Sequence, residues 1–155
     1  ELDFHQFESF DRIVLSPGPG LPNEAGQLMH ALEHLKKIDI PVLGVCLGLQ
    51  AMVENSGGEI YNLGTVRHGV SFPAKADVDD NLYRDLKSEQ RFGLYHSWAA
   101  LKPLSKEWKI TAESEEGIIM SIRHTSLPWV AVQYHPESVL SPNGRLILKN
   151  WIERA

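Results

Sequence analysis

A chain of 155 residues and 17.4 kDa, 43% hydrophobic and 23% charged, has the balance of one compact domain with enough length to bury a core unaided. Its net charge of −5 has the wrong sign for a protein that gains affinity by neutralising phosphates, which argues against general nucleic-acid binding. The one cysteine, Cys46, excludes an internal disulfide and any site of several thiolates, and every apolar run is broken before the roughly 18 residues a membrane span requires. A lone thiol and an acidic opening without a basic n-region point to a cytoplasmic protein. The opening Glu1-Leu2-Asp3 lacks an initiator Met and reads as a processed or incomplete version of a longer product.

In chain order, Ile13-Val14-Leu15 reads as a short buried strand that stops at Ser16-Pro17-Gly18-Pro19-Gly20, a turn whose glycines permit positive φ. Leu28, Ala31, Leu32 and Leu35 recur at helical spacing and predict a helix over 24–37, with Lys36 and Lys37 placed where a helix C-terminus favours cations. Pro41 separates it from a strand over 42–45. Strand, helix, strand is the signature of a parallel sheet. A second helix is expected over 47–55, ending near Gly57-Gly58. Beyond it the pattern changes to short β-like runs at 59–63, 65–72, 91–95, 109–113, 118–123 and 129–134, with Glu115-Glu116-Gly117 as a hairpin turn. A helix over 145–154 closes the chain. No repeat, low-complexity tract or linker interrupts it, and Trp98, Trp108, Trp129 and Trp151 read mostly as packing groups.

Gly44-Val45-Cys46-Leu47-Gly48 puts the thiol between a buried strand and a helix, with a glycine two residues to either side. A sharp strand-to-helix turn lifts a nucleophile above a sheet, and the glycines remove Cβ atoms that would collide with neighbouring backbone. The helix N-terminus is expected to lower the thiol pKa. The blander alternative is a buried cysteine acting as a small apolar side chain. Tyr134-His135-Pro136-Glu137 follows a strong strand and supplies a base with a carboxylate to orient it. Loops at strand C-termini of a parallel sheet meet at one edge, so His135 and Cys46 are expected to converge. Metal ligation by His135 and Glu137 is the competing reading, weakened by the lack of a third ligand at helpful spacing. Gly18, with the N–H of Leu47, could form an oxyanion hole, the alternative being a plain loop.

With Ser16-Pro-Gly-Pro-Gly20, Gly44-Val-Cys-Leu-Gly-Leu-Gln50 and Gln133-Tyr-His-Pro-Glu-Ser138 in order, the chain resembles the class I, or triad, glutamine amidotransferases. The form Ser-Pro-Gly-Pro-Gly, with Tyr95-His96-Ser97 and the segment 119–124, is most similar to the small subunits of anthranilate synthase and aminodeoxychorismate synthase. The resemblance runs from Ile13 to the C-terminus and implies an α/β three-layer, flavodoxin-like fold around a mainly parallel central sheet. It also implies roles. Cys46 would attack the carboxamide of L-glutamine to form a γ-glutamyl thioester, His135 would protonate the departing ammonia and then activate water, and Glu137 would orient His135. Gly18 and Leu47 would hold the oxyanion, and Gly18, Pro19, Gly20, Gln50, Tyr95, His96, Ser97 and Trp98 would bind glutamine. Ammonia would pass to a chorismate-binding synthase subunit. No cofactor or metal is implied for the thiol chemistry, and any Mg²⁺ would sit in the synthase partner.

Family members normally open with a further strand and helix carrying an Asp-Asn-Tyr-Asp-Ser-Phe-like loop, and no equivalent precedes Ile13. The expectation is a domain over 1–155 lacking that strand, which would normally lie centrally in the sheet. His30 and His34, one helical turn apart, read as a solvated helix face rather than a metal site. Arg67-His68-Gly69 reads as a hairpin that the resemblance places near the synthase partner. The rival functions are a γ-glutamyl thiol hydrolase on the same architecture, disfavoured by Gln50 and Ser97, and a non-catalytic regulatory subunit, disfavoured by the intact Cys46, His135 and Glu137.

Overall fold

The structure, a computed structural model, describes residues 3–154. Seven strands form one sheet: β1 (Ile13–Leu15), β2 (Val42–Val45), β3 (Ile60–Ala76), β4 (Glu89–Ala100), β5 (Trp108–Ser114), β6 (Ile119–His124) and β7 (Trp129–Val132), in the order β1-β2-β7-β6-β5-β3-β4. Three α-helices accompany them: α1 (Leu28–Leu35), α2 (Leu47–Asn55) and α3 (Gly144–Arg154).

The central strands are apolar on both sides, and their period of two divides the core. Val42, Trp129 and Ala131 pack with Leu32 and Leu35 of α1 and Leu49 and Met52 of α2. Leu43, Val45, Val130 and Val132 pack instead with Ile147 and Trp151 of α3 and with Leu82 and Tyr83 of a short 3-10 turn. Two cores, one on each face, make the expected three-layer α/β arrangement.

The sheet is mixed, and here the expectation of a mainly parallel sheet needs correction. Parallel pairing is confined to β1 with β2 and β2 with β7, while β7, β6, β5, β3 and β4 pair antiparallel in turn. The reason is connection length: tight turns such as the one at Gly117, whose N–H bonds to Ser114 O at 3.0 Å, return the chain alongside itself, and only the helical crossover through α1 produces a parallel neighbour early in the chain. β1 stands at the edge of the sheet, with β2 as its single strand partner among the described residues.

Helix boundaries differ from the pattern in one place. Instead of a helix over 24–37, a 3-10 turn, Pro22–Glu24, precedes a shorter α1, because Gly26 adopts φ +58° between them. The glycine-punctuated runs at 59–63 and 65–72 join into the single long β3, where Gly64 and Gly69 take positive φ at register shifts against β4 rather than ending the strand.

Candidate active site

β2 ends at Val45 and α2 begins at Leu47, so Cys46 alone makes the turn between them. Its backbone sits at φ 53° and ψ −98°, a conformation that a residue with a Cβ keeps only when its surroundings impose it. They do so from both sides. The Cys46 N–H donates to Val132 O at 2.8 Å, and Cys46 O accepts from Gln50 N at 3.2 Å. A Cβ on Gly44 would lie 2.8 Å from the carbonyl carbon of Gly48, and one on Gly48 would lie 2.7 Å from Leu15 O. Both glycines are therefore required by close backbone approach, as the spacing predicts for an elbow.

The thiol is buried, and burial pushes it up to about 11, against the lowering expected from the helix N-terminus. The adjacent Leu47 N–H pulls the value down, the Glu137 carboxylate raises it, and the Gln133 carboxamide, with Nε2 3.5 Å from Sγ, lowers it. Desolvation wins because Cys46 is only 6% exposed.

A cavity of about 220 Å³ is lined by Cys46 together with Gly18, Pro19, Gly20, Gln50, Tyr95, His96, Ser97 and Trp98. It is smaller than the sites of about 300–1,000 Å³ typical for drug-sized ligands, and it suits a metabolite of amino-acid size. Three elements build its walls: the loop after β1, the first turn of α2, and the end of β4. Val66 and His68 of β3 complete the lining, which the sequence reading did not foresee. Trp98 O accepts from both Gln50 Nε2, at 3.0 Å, and His96 Nδ1, at 2.7 Å, so the wall is internally braced. Burial lowers the His96 pKa, keeping that ring neutral as a donor through Nδ1.

His135 and Glu137 adjoin this cavity without lining it. The edge of the His135 ring meets Tyr95, a lining residue, with centroids 4.9 Å apart. His135 Nδ1 lies 2.6 Å from Glu137 Oε1, while His135 Nε2 is buried and makes no hydrogen bond among the described residues, so no bond to Cys46 Sγ is present. The backbone here is clamped: His135 N donates to Gly93 O at 3.0 Å, and Ser141 Oγ donates to His135 O at 2.7 Å. Gly18 and Leu47 lie in contact range, since a Cβ on Gly18 would come 3.2 Å from Leu47 Cδ2.

Other singled-out residues take structural places. His34 packs against the rings of Phe4, Phe7 and His5. Arg67 is ion-paired with Glu116 and stacks over Phe72 at 4.2 Å, and His68 packs edge-on against Tyr95 at 5.1 Å. Among the described residues no three His, Cys, Asp or Glu side chains gather as metal ligands. Gln133, within the third motif, is a contact of Cys46 that sequence reasoning passed over; a polar residue directly after an all-apolar strand was its signal.

Fold and site together define an α/β domain that presents a cysteine on a strand-to-helix elbow beside a His–Glu pair. The whole chain, residues 1–155, matches the family model described as "Glutamine amidotransferase class-I", and the protein belongs to that family. It is 40% identical over 152 residues to the "Anthranilate synthase component 2" of Methanocaldococcus jannaschii, covering 92% of this chain and 75% of that protein. It is 37% identical over 145 residues to the "Aminodeoxychorismate/anthranilate synthase component 2" of Bacillus subtilis, covering 92% and 73% respectively. A solved glutamine amidotransferase from Thermotoga maritima shares the fold, with a TM-score of 0.74 at 22% identity over 94% of this chain and 62% of that one.

Proposed function

We propose that this chain is the glutaminase component of an anthranilate synthase: it hydrolyses L-glutamine to glutamate and passes the ammonia to a chorismate-aminating synthase subunit. The observation that carries the reading is the single cavity in which Cys46 meets Gly18, Gly20, Gln50 and the segment 95–98. The names of the relatives support the particular partner. The Bacillus subtilis relative is named for both synthases, which makes aminodeoxychorismate synthase the second reading.

In this reading Cys46 Sγ attacks the carboxamide carbon as His135 Nε2 takes its proton. The N–H groups of Gly18 and Leu47 receive the oxyanion, and such a donor is worth about 2.7–4 kcal/mol of barrier. His135 returns the proton to the leaving nitrogen, giving ammonia and a γ-glutamyl thioester, then activates the water that releases glutamate. Glu137 keeps the proton of His135 on Nδ1, which leaves Nε2 as the base. The Leu47 N–H, which lowers the pKa of the resting thiol, would serve the oxyanion once the tetrahedral intermediate forms. This chemistry needs no cofactor or metal from the chain, and a Mg²⁺ that orients chorismate would belong to the synthase. A thiol that must stay reduced suits a cytoplasmic setting, and among the described residues no helix is long and apolar enough to cross a membrane.

The test is mass spectrometry of the chain after exposure to an electrophilic glutamine analogue, with and without excess glutamine. Modification of Cys46 that glutamine suppresses is expected. Absence of modification, even with a candidate synthase present, would replace this reading with a regulatory subunit or a different substrate.

A further inference from the structure

Gln133 has no place in the roles assigned so far, yet its side chain stands between the nucleophile and the cavity wall. It is 0% exposed, and a carboxamide is buried at that depth only when its hydrogen bonds are met. Nε2 reaches Cys46 Sγ at 3.5 Å, and Oε1 accepts from Gln50 Nε2 at 3.3 Å.

Which end of the amide faces the sulfur follows from the network. Trp98 O can only accept, so the Gln50 atom 3.0 Å from it is the amide nitrogen. That nitrogen offers its second N–H to Gln133, so the Gln133 atom facing it is the oxygen. The NH₂ group is then left for the sulfur. A flipped Gln133 would set two amide nitrogens against each other and aim a carbonyl oxygen at a sulfur that must become negative.

We propose that Gln133 is a further catalytic residue of the glutaminase reaction: its carboxamide N–H, aimed by Gln50 and through it by Trp98 O, stabilises the thiolate of Cys46. The inference rests on the reading of Cys46 as nucleophile. Gln133 Nε2 is hydrogen-bonded to the resting sulfur, and the adjacent Leu47 N–H also lowers the thiol pKa. Leu47 N–H is also the proposed oxyanion donor and cannot serve both atoms in full. Gln133 is the donor that can stay on the sulfur when the thioester breaks and thiolate leaves.

The experiment is the pH dependence of iodoacetamide alkylation of the full chain, which has one thiol, so the total rate is the rate at Cys46. Gln133→Met, apolar and of similar length, is expected to lower the rate at pH 8 by about tenfold and to move the profile about one pH unit upward. A purely structural role would leave the profile of the folded variant where it was, and a profile superimposable on the wild type overturns the proposal. Should the methionine variant fail to fold, as judged by thermal unfolding, Gln133→Leu carries the same test, since it is uncharged, smaller and has no N–H. An unchanged profile there overturns the proposal too. Alkylation requires no glutamine, so a wild-type chain that a glutamine analogue fails to label would sink the proposed function while leaving the thiolate test readable.

Discussion

His135 Nδ1 lies 2.6 Å from Glu137 Oε1, while the other ring nitrogen is buried and has no hydrogen-bond partner among the described residues. A carboxylate accepts, so the neutral ring carries its proton on Nδ1 and directs the Nε2 lone pair inward. Pro136 stiffens the backbone between the two residues and keeps the pair together. The half-exposed Glu137 is thus tied to the orientation of the largely buried His135 ring.

Glu137→Gln should therefore keep the fold and lose turnover. An amide can donate to Nδ1 and favour the opposite tautomer, which places a proton on Nε2. A fall in kcat of about 10²- to 10⁴-fold is expected, with KM for glutamine little changed, measured in a coupled glutaminase assay with the synthase partner. A KM effect alone would show that Glu137 acts on binding.

Cys46→Ser should abolish amination that depends on glutamine while the partner continues to use free ammonia. The substitution keeps side-chain size at a backbone position held by bonds to Val132 and Gln50, so the elbow should survive. Product formation is measured with each nitrogen source. Equal loss of both would contradict the division of labour between subunits.

Gly144 opens α3 against the loop that carries His135 and Glu137, and a Cβ there would fall 1.8 Å from Pro136 O. The Pro136 carbonyl cannot yield without disturbing its chain neighbours His135 and Glu137. Gly144→Ala should destabilise the protein by about 3 kcal/mol, at the upper end of overpacking effects, and slow the glutaminase in the remaining folded protein. Chemical denaturation and activity per folded molecule give the two readouts.

Beneath the loop, Tyr83 Oη links Ser121 Oγ at 2.7 Å and Tyr134 Oη at 2.9 Å, and Ser121 Oγ continues to Thr111 Oγ1 at 2.7 Å. Burial raises both phenol pKa values, so the chain is a run of neutral hydrogen bonds. Tyr83→Phe removes a hydroxyl shared by two partners and should cost about 1–3 kcal/mol. Adding Tyr134→Phe should cost less than the two single changes together, because one broken bond is common to both. Strict additivity in denaturant melts would show that the hydroxyls act independently.

His96 gives a pH dependence of known sign. Burial depresses its folded pKa below the ordinary 6.5, so the unfolded chain binds more protons in the window below that value. The stability contributed by neutral His96 is therefore complete above pH 6.5 and is lost as pH falls through the folded value. His96→Gln should flatten the decline in stability below about pH 6.5 relative to wild type. Identical slopes in denaturation series across that range would remove His96 from the account.

Local pattern made much of this molecule legible. The strand Val42–Val45 and the helix Leu47–Asn55 fall where apolar runs and Gly-flanked Cys46 predict them, because each boundary is written in adjacent residues. The three motifs likewise announced the family, and the residues named for the cavity do line it. Tertiary structure alone decided the rest. Gly64 and Gly69 look like strand ends in sequence, and only pairing with β4 shows that the strand continues past them. The mixed pairing of the sheet depends on which runs meet across turns, a property of partners and not of any one segment. The thiol pKa moved opposite to the helix-terminus argument because the amount of protein over a sulfur cannot be read from its neighbours in the chain. Gln133 joined the site for the same reason: its bonds to Cys46 and Gln50 form only when β7 lies beside β2, bringing together residues that the sequence keeps far apart.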